Sequence, residues 1–218
     1  MPRAYQVPRR MRAAHTARVD VRAFVETHLP RPPARVLEVG CGRGDLARTL
    51  AGIGHDVVAI DPDAPDGDIF RAVSLEDFGD PGPFDAIVAV RSLHHLHDAT
   101  AAVAKIARLL RPGGLLVVHE HAWERFDGRT DRWYVEQRGS EHGVEGCLRD
   151  WVEDHRELHT AAAMRAALDR RFEQRAFAWT PYLYEGLGPA VTREHEQHLI
   201  ETGRIAATGF AYVGERAG

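Results

Sequence analysis

Apolar residues along this chain follow three spacings, and each spacing predicts a different element. Short, nearly continuous apolar runs read as strands buried on both faces. They fall at Val36, Leu37 and Val39, at Val57 to Ile60, at Ile69 to Val73, at Phe84 to Val90 and at Leu115 to His119. Helical spacing appears at Leu46, Leu50 and Ile53, and again at Val103, Ile106, Ala107 and Leu110. Gly52 and Gly54 close the first of these helices. Further helices are expected over Arg10 to Leu29, ahead of Pro30, Pro32 and Pro33, over Ala161 to Leu168, and over Glu194 to Thr202. Phe172 to Trp179 and Thr208 to Val213 alternate apolar and polar residues, as half-covered strands do. Strands alternating with helices predict an α/β fold around a mostly parallel sheet.

The stretch from residue 121 to 170 breaks this rhythm. It holds Trp123, Trp133, Tyr134 and Trp151 among several histidines and charges. It is too long for a bare connection, so it reads as a cap over the substrate. Thr180 to Tyr184 is a loop close to the expected cleft.

Composition narrows the classes. A chain of 218 residues with 44% hydrophobic content suits one elaborated domain with a real core. A net charge of −4 argues against broad electrostatic binding to nucleic acid or to acidic membranes. Cys41 and Cys147 make no disulfide framework. With no secretory signal and no bilayer-length apolar run, a cytoplasmic location is expected. The basic run Arg9, Arg10 and Arg12 reads as a solvated face.

The chemistry starts at the first strand. Glycines stand at alternate positions, Gly40, Gly42 and Gly44, followed by a helix, a second strand and Asp61. Glycines let the backbone turn tightly and approach a ligand closely. A carboxylate at the second strand's tip can accept both hydroxyls of a ribose. A dinucleotide fingerprint needs glycine at position 45, where Asp45 stands. Glu38 would repel a pyrophosphate but attract an ammonium or sulfonium.

This E-x-G-x-G-x-G string resembles the first motif of class I S-adenosylmethionine-dependent methyltransferases of the small-molecule type, and Asp61 resembles their acidic second motif. The Phe84-Asp85 strand start and the string LLRPGG before the fifth strand strengthen the resemblance, which is specific over residues 34 to 120. It implies a doubly wound, Rossmann-like sheet of seven strands with the last one antiparallel, and a helical cap between the fifth and sixth. It implies one domain: a helical lid over 1–33, a cofactor-binding core over 34–122, the cap over 123–171 and C-terminal strands over 172–218. S-adenosylmethionine, leaving as S-adenosylhomocysteine, would be held by Glu38, Gly40, Cys41, Gly42, Gly44, Asp61, Pro62, Leu75, Glu76 and Arg91. Ser74 stands where relatives often carry an aspartate for adenine, so Glu76 or the Leu75 backbone N–H is expected there instead.

Methyl transfer needs an aligned acceptor, excluded water and, for a hydroxyl, a base. His94 and His95 follow the fourth strand and Glu120 follows the fifth, on the same rim of a parallel sheet. Imidazole titrates near neutrality and accepts a hydroxyl proton. The expected catalytic residues are therefore His94, Glu120 and His95; the alternative is that Leu-His-His caps a helix and neither histidine is chemical. Trp123, His155, His159 and Tyr184 are candidate acceptor contacts. His155 and His159 have zinc spacing, but Arg156 stands where H-E-x-x-H needs glutamate, so no metal is expected.

The expected activity is methyl transfer to a small, aromatic or natural-product-like acceptor, by a monomer or homodimer with no nucleic acid or membrane partner. The alternatives are a same-fold enzyme that binds the cofactor without using its methyl group, and a non-catalytic cofactor-binding module. A nucleic-acid substrate is further disfavoured because Arg91-Ser92-Leu93-His94 replaces an Asn-Pro-Pro-Tyr string.

Overall fold

The computed structural model describes residues 18–79, 82–138 and 147–217. Its strands are β1 (Arg35–Val39), β2 (Asp56–Asp61), β3 (Phe70–Ala72), β4 (Phe84–Val90), β5 (Leu110–His121), β6 (Phe172–Thr180) and β7 (Gly209–Arg216). They form one seven-stranded sheet in the order β3-β2-β1-β4-β5-β7-β6. β1 to β5 pair in parallel, and β7 runs antiparallel to both β5 and β6. The strand order reverses between β1 and β4, the switch point where open α/β sheets bind ligands at the carboxyl ends of their strands.

The helices are α1 (Arg18–His28), α2 (Asp45–Gly52), α3 (Ala99–Leu109), α4 (Gly128–Arg138), α5 (Cys147–His155), α6 (Ala161–Asp169), α7 (Tyr184–Leu187) and α8 (Arg193–Glu201). Alternate strand residues enter opposite layers, because successive side chains on a strand point to opposite faces. Leu37, Ile60, Ile87 and Leu116 pack with Val103 and Ile106 of α3 and Met164 and Leu168 of α6. Val36, Ala59, Val88 and Val117 pack on the other face with Val25 of α1 and Leu50 of α2. Asp98 caps α3 by accepting from the N–H groups of Thr100 and Ala101, and Thr160 caps α6 through Ala163.

A third, smaller core lies apart from both layers. It joins Phe126 and Trp133 to Leu183, Tyr184, Val191, Leu199 and Ile205, with Tyr134, Leu148 and Trp151 packed against it. It therefore draws on two connections: α4 and α5 between β5 and β6, and α7 and α8 between β6 and β7. The expected cap over 123–171 differs from this in two respects. Ala161, Met164 and Leu168 form a fully buried stripe that places α6 on the sheet instead. The stretch from Leu183 to Ile205, which includes α7 and α8 and was expected among the C-terminal strands, supplies five of the seven described buried residues of the cap core.

In the segment expected to form a lid, α1 packs Val25 into the second layer. Arg9, Arg10, Arg12 and the start of the predicted N-terminal helix lie outside the described residues. No described helix is long and apolar enough to cross a membrane.

Candidate functional site

At the end of β1 the chain makes a turn that only glycines fit. Gly40, Gly42 and Gly44 have φ of 74°, 49° and 79°, in the left-handed region. A Cβ at Gly40 would sit 2.4 Å from the Cβ of Ser92, and one at Gly44 would sit 2.4 Å from the Phe70 ring. Gly42 is different, because nothing lies within 4 Å of its missing Cβ. The turn is tied to β2 by the N–H groups of Gly40 and Cys41, which donate to the Ile60 carbonyl at 2.8 and 3.0 Å.

Two carboxylates flank this turn. Asp61 Oδ2 accepts from the Gly42 N–H at 2.9 Å and Oδ1 from the Asp63 N–H at 2.9 Å. Glu38 is buried, and burial pushes its pKa up to about 8. Its Oε2 is buried with no hydrogen-bond partner among the described residues. A buried acceptor oxygen left without a donor is costly. Such an oxygen fits a ligand that brings a donor or a cation. Burial, reinforced by Glu38 and Asp61, pushes the Cys41 thiol up to about 12, so it is an inert small residue.

Beyond Asp61, Pro62 is exposed, Leu75 is buried and Glu76 is exposed. The Ser74 hydroxyl is spent inside its own turn, on the Asp77 carboxylate and N–H, both at 3.1 Å. Lys105 holds this turn from behind, donating to the carbonyls of Glu76 and Phe78 at 2.9 and 2.7 Å.

The second half of the site lies at the ends of β4 and β5. Glu120 is fully buried and belongs to β5 itself, whereas the sequence places it just after the strand. Its Oε1 accepts from the N–H groups of Ser92 and Leu93 at 2.7 and 2.6 Å. Its Oε2 pairs with His94 Nδ1 at 2.5 Å and accepts from the His121 N–H at 3.1 Å. Burial alone would raise its pKa, but His94 and the backbone donors outweigh burial and hold it below the usual carboxylate range. An anionic Glu120 makes Nδ1 of His94 the donor. The lone pair or second proton then sits on Nε2. His95 is exposed, its ring 4.1 Å from that of His94, and it has no carboxylate partner among the described residues.

Rings from the cap meet this pair. Tyr182 stacks on His121, with centroids 4.1 Å apart and planes 7° apart. Trp151 and His155 stack on each other at 4.2 Å and both meet His121 edge-on. Trp123 lies over His155 at 6.3 Å, and its carbonyl accepts from Trp151 Nε1 at 3.0 Å. Burial drives the pKa of His121 well below the usual imidazole value, so it is neutral. Arg91, the one described non-glycine residue with positive φ, at 53°, pairs its guanidinium with Glu185 of α7.

The structure thus brings Glu38, the glycine turn and Asp61 together at one place, and His94, Glu120, His95, His155 and Trp123 at the next. His159 is turned to another use: its Nε2 donates to the Leu96 carbonyl at 2.8 Å and its N–H to the His94 carbonyl at 3.1 Å. Tyr184 is buried in the cap core. The sequence assigns no role in this wall to His121, Trp151, Tyr182 or Glu185, although Trp151 was expected in the cap and Tyr182 in the loop near the cleft. The His119-Glu120-His121 string was a usable signal for the first; the others carry no local pattern. Among the described residues no group of three histidine, cysteine or acidic side chains is placed to hold a metal ion. A groove of about 420 Å³ lies at the β3 edge, lined by Val58, Val73 and Phe78. None of the site residues lines it.

Comparison with known proteins gives the family and the fold. A family model described as a methyltransferase domain matches residues 8–172. A ubiquinone biosynthesis O-methyltransferase of Thiobacillus denitrificans is 36% identical over 106 residues, which cover 42% of this chain and 46% of that protein. The match thus spans about half the length of such curated relatives. Among solved structures, an S-adenosylmethionine-dependent methyltransferase of Listeria monocytogenes, described as putative, superposes with a TM-score of 0.60 at 13% identity, covering 91% of this chain and 98% of the other. The N-methyltransferase NodS of Bradyrhizobium japonicum, solved with S-adenosylhomocysteine, superposes with a TM-score of 0.58 at 16% identity, covering 99% and 94%. At these identities the solved structures speak for the fold alone.

Proposed function

Because the chain belongs to the family of methyltransferase domains, we propose that it methylates a hydroxyl of a small aromatic acceptor, using S-adenosylmethionine and His94 as the base. The observation that carries this reading is the buried His94–Glu120 pair at the ends of the two central strands.

The residues beside the glycine turn fit the cofactor. Asp61 would accept the ribose hydroxyls, and the orphaned Oε2 of Glu38 would accept from the methionine ammonium. Gly40, Cys41, Gly42 and Gly44 would line it with backbone, Pro62 would follow the ribose, and the Leu75 N–H and Glu76 would meet the adenine. Arg91 would contribute backbone, since its guanidinium is engaged by Glu185. When bound, the cofactor supplies a methyl group already activated on a sulfonium.

The chain's own task is to make the acceptor oxygen nucleophilic and to exclude water. With Nδ1–H directed at Glu120, neutral His94 presents a lone pair on Nε2 to the acceptor hydroxyl. It takes the proton there, and Glu120, held anionic by its backbone donors, balances the imidazolium. Exposed His95 lacks such a partner, so His94 is the base of the two. The stacked rings of Tyr182, His121, Trp151 and His155 offer flat, apolar walls that suit a planar acceptor and keep water out.

A series of acceptors of increasing acidity tests this. With phenol, His94→Ala should lower single-turnover S-adenosylhomocysteine formation by about 10²–10⁴-fold, with affinity for S-adenosylhomocysteine unchanged. With 4-nitrophenol, which ionises without help, the loss should shrink. Glu120→Gln should fall between, and His95→Ala should cost little. Equal losses across the series, a larger loss at His95, or no methylation of any phenol by the native protein would overturn the assignment.

A further inference from the structure

Glu196 of α8 is fully buried, yet the chemistry above gives it no task. Its Oε1 accepts from the N–H groups of Tyr182 and Leu183 at 3.0 and 3.2 Å, and its Oε2 accepts from the Tyr184 N–H at 2.7 Å. We infer that Glu196 is a positioning residue for acceptor binding: it fixes the 182–185 segment that forms the cap side of the site. This rests on the acceptor site proposed above.

The segment it holds has two contacts with the rim of the sheet. Tyr182 lies flat on His121, and Glu185 pairs with Arg91 at the end of β4. Three consecutive N–H groups converging on one carboxylate leave the backbone little freedom, so both contacts are placed by a single side chain. Glu120 does the same for the opposite wall, where it gathers the N–H groups of Ser92, Leu93 and His121. Each wall of the site is thus built on a buried carboxylate that reads backbone donors.

The three-donor arrangement explains why an acid stands at this position. Burial, with Glu185 adding to it, raises the pKa of Glu196 above the usual carboxylate value, and the three N–H groups oppose that rise in part by favouring the anion. A glutamine keeps the shape but offers one acceptor oxygen. Its NH₂ would face the Tyr184 N–H, donor against donor, and release the part of the segment nearest Glu185. An aspartate keeps both oxygens but is one methylene shorter.

Two measurements test this, and neither needs methyl transfer. In Glu196→Gln, amide exchange at Tyr184 should speed up while exchange in β1, β4 and β5 stays as in the native protein. In calorimetry with S-adenosylhomocysteine-loaded protein, the Kd for 4-nitrophenol should rise by about tenfold, the equivalent of one lost hydrogen bond. Affinity for S-adenosylhomocysteine itself should stay within about twofold. Glu196→Asp should recover part of the loss. Unchanged exchange would refute the clamp. Faster exchange with an unchanged 4-nitrophenol Kd would reduce Glu196 to fold maintenance, as would parallel losses of both ligands. No binding of 4-nitrophenol by the native protein would remove the acceptor wall. Failure of the native protein to form S-adenosylhomocysteine from S-adenosylmethionine is a separate outcome, and it would count against the proposed function alone.

Discussion

Single carboxylates carry much of this site, and their neighbours decide what each does. Asp61, Glu38, Glu120 and Glu196 are all acids near strand ends or the cap, yet their surroundings differ. Glu120 has four partners and stays ionised, while Glu38 has an unpartnered oxygen and its pKa is held up at about 8. Asp61 has one oxygen on the Gly42 N–H of the turn and the other on the Asp63 N–H after β2, which leaves each one further lone pair for a ribose hydroxyl. A hydrogen bond to a charged group contributes roughly 1.5–3 kcal/mol, so Asp61→Ala should weaken S-adenosylhomocysteine binding at least about tenfold in calorimetry. Unchanged affinity in a folded variant would remove the ribose site.

At the scale of elements, the turn between β1 and α2 separates folding from binding. Gly42 and Gly44 both have positive φ, so alanine at either carries a left-handed cost of about 1–2 kcal/mol. Only Gly44 adds a steric conflict, with the Phe70 ring of β3, while Gly42 opens onto free space. Thermal unfolding should therefore show a larger drop in Tm for Gly44→Ala than for Gly42→Ala. Gly42→Ala should instead lose S-adenosylhomocysteine affinity out of proportion to its stability loss. Equal Tm losses would mean that Phe70 gives way and does not constrain the turn.

For the whole molecule, buried histidines shape how stability depends on pH. His119 is neutral in the fold, with burial pushing its pKa down to about 4, and His121 is depressed as well. In the unfolded chain both titrate near roughly 6.5. The unfolded state then binds more protons below that point, so this contribution is present above about pH 6.5 and is lost as pH falls toward 4. Glu38 acts oppositely: its raised pKa means that stability declines as pH rises from 4.5 to about 8. Urea unfolding between pH 7 and 4.5 should show an acid limb that flattens in His119→Gln, with the alkaline side unaffected. A limb of the same slope in both proteins would assign acid sensitivity to other groups.

The sequence by itself determined the sheet and the glycine turn that ends its first strand. β4 spans Phe84–Val90 as its apolar run predicts, because a strand buried on both faces writes its burial into consecutive residues. The glycine turn and Asp61 were legible for a similar reason: positive φ and close approach select residue types at fixed spacing. What the pattern missed depends on partners distant in the chain. β5 runs from Leu110 to His121, beyond the predicted Leu115 to His119, because Phe84 pairs with one end and Gly209 with the other. That extra length draws Glu120 into the strand. Only tertiary structure distinguished His94 from His95, since the two adjacent imidazoles differ in whether a carboxylate 26 residues away reaches them. It alone also assembled the cap from two separate connections and set Glu196 beneath Tyr182. Those contacts arise from packing between elements, and no local period encodes which face of α8 will meet which loop.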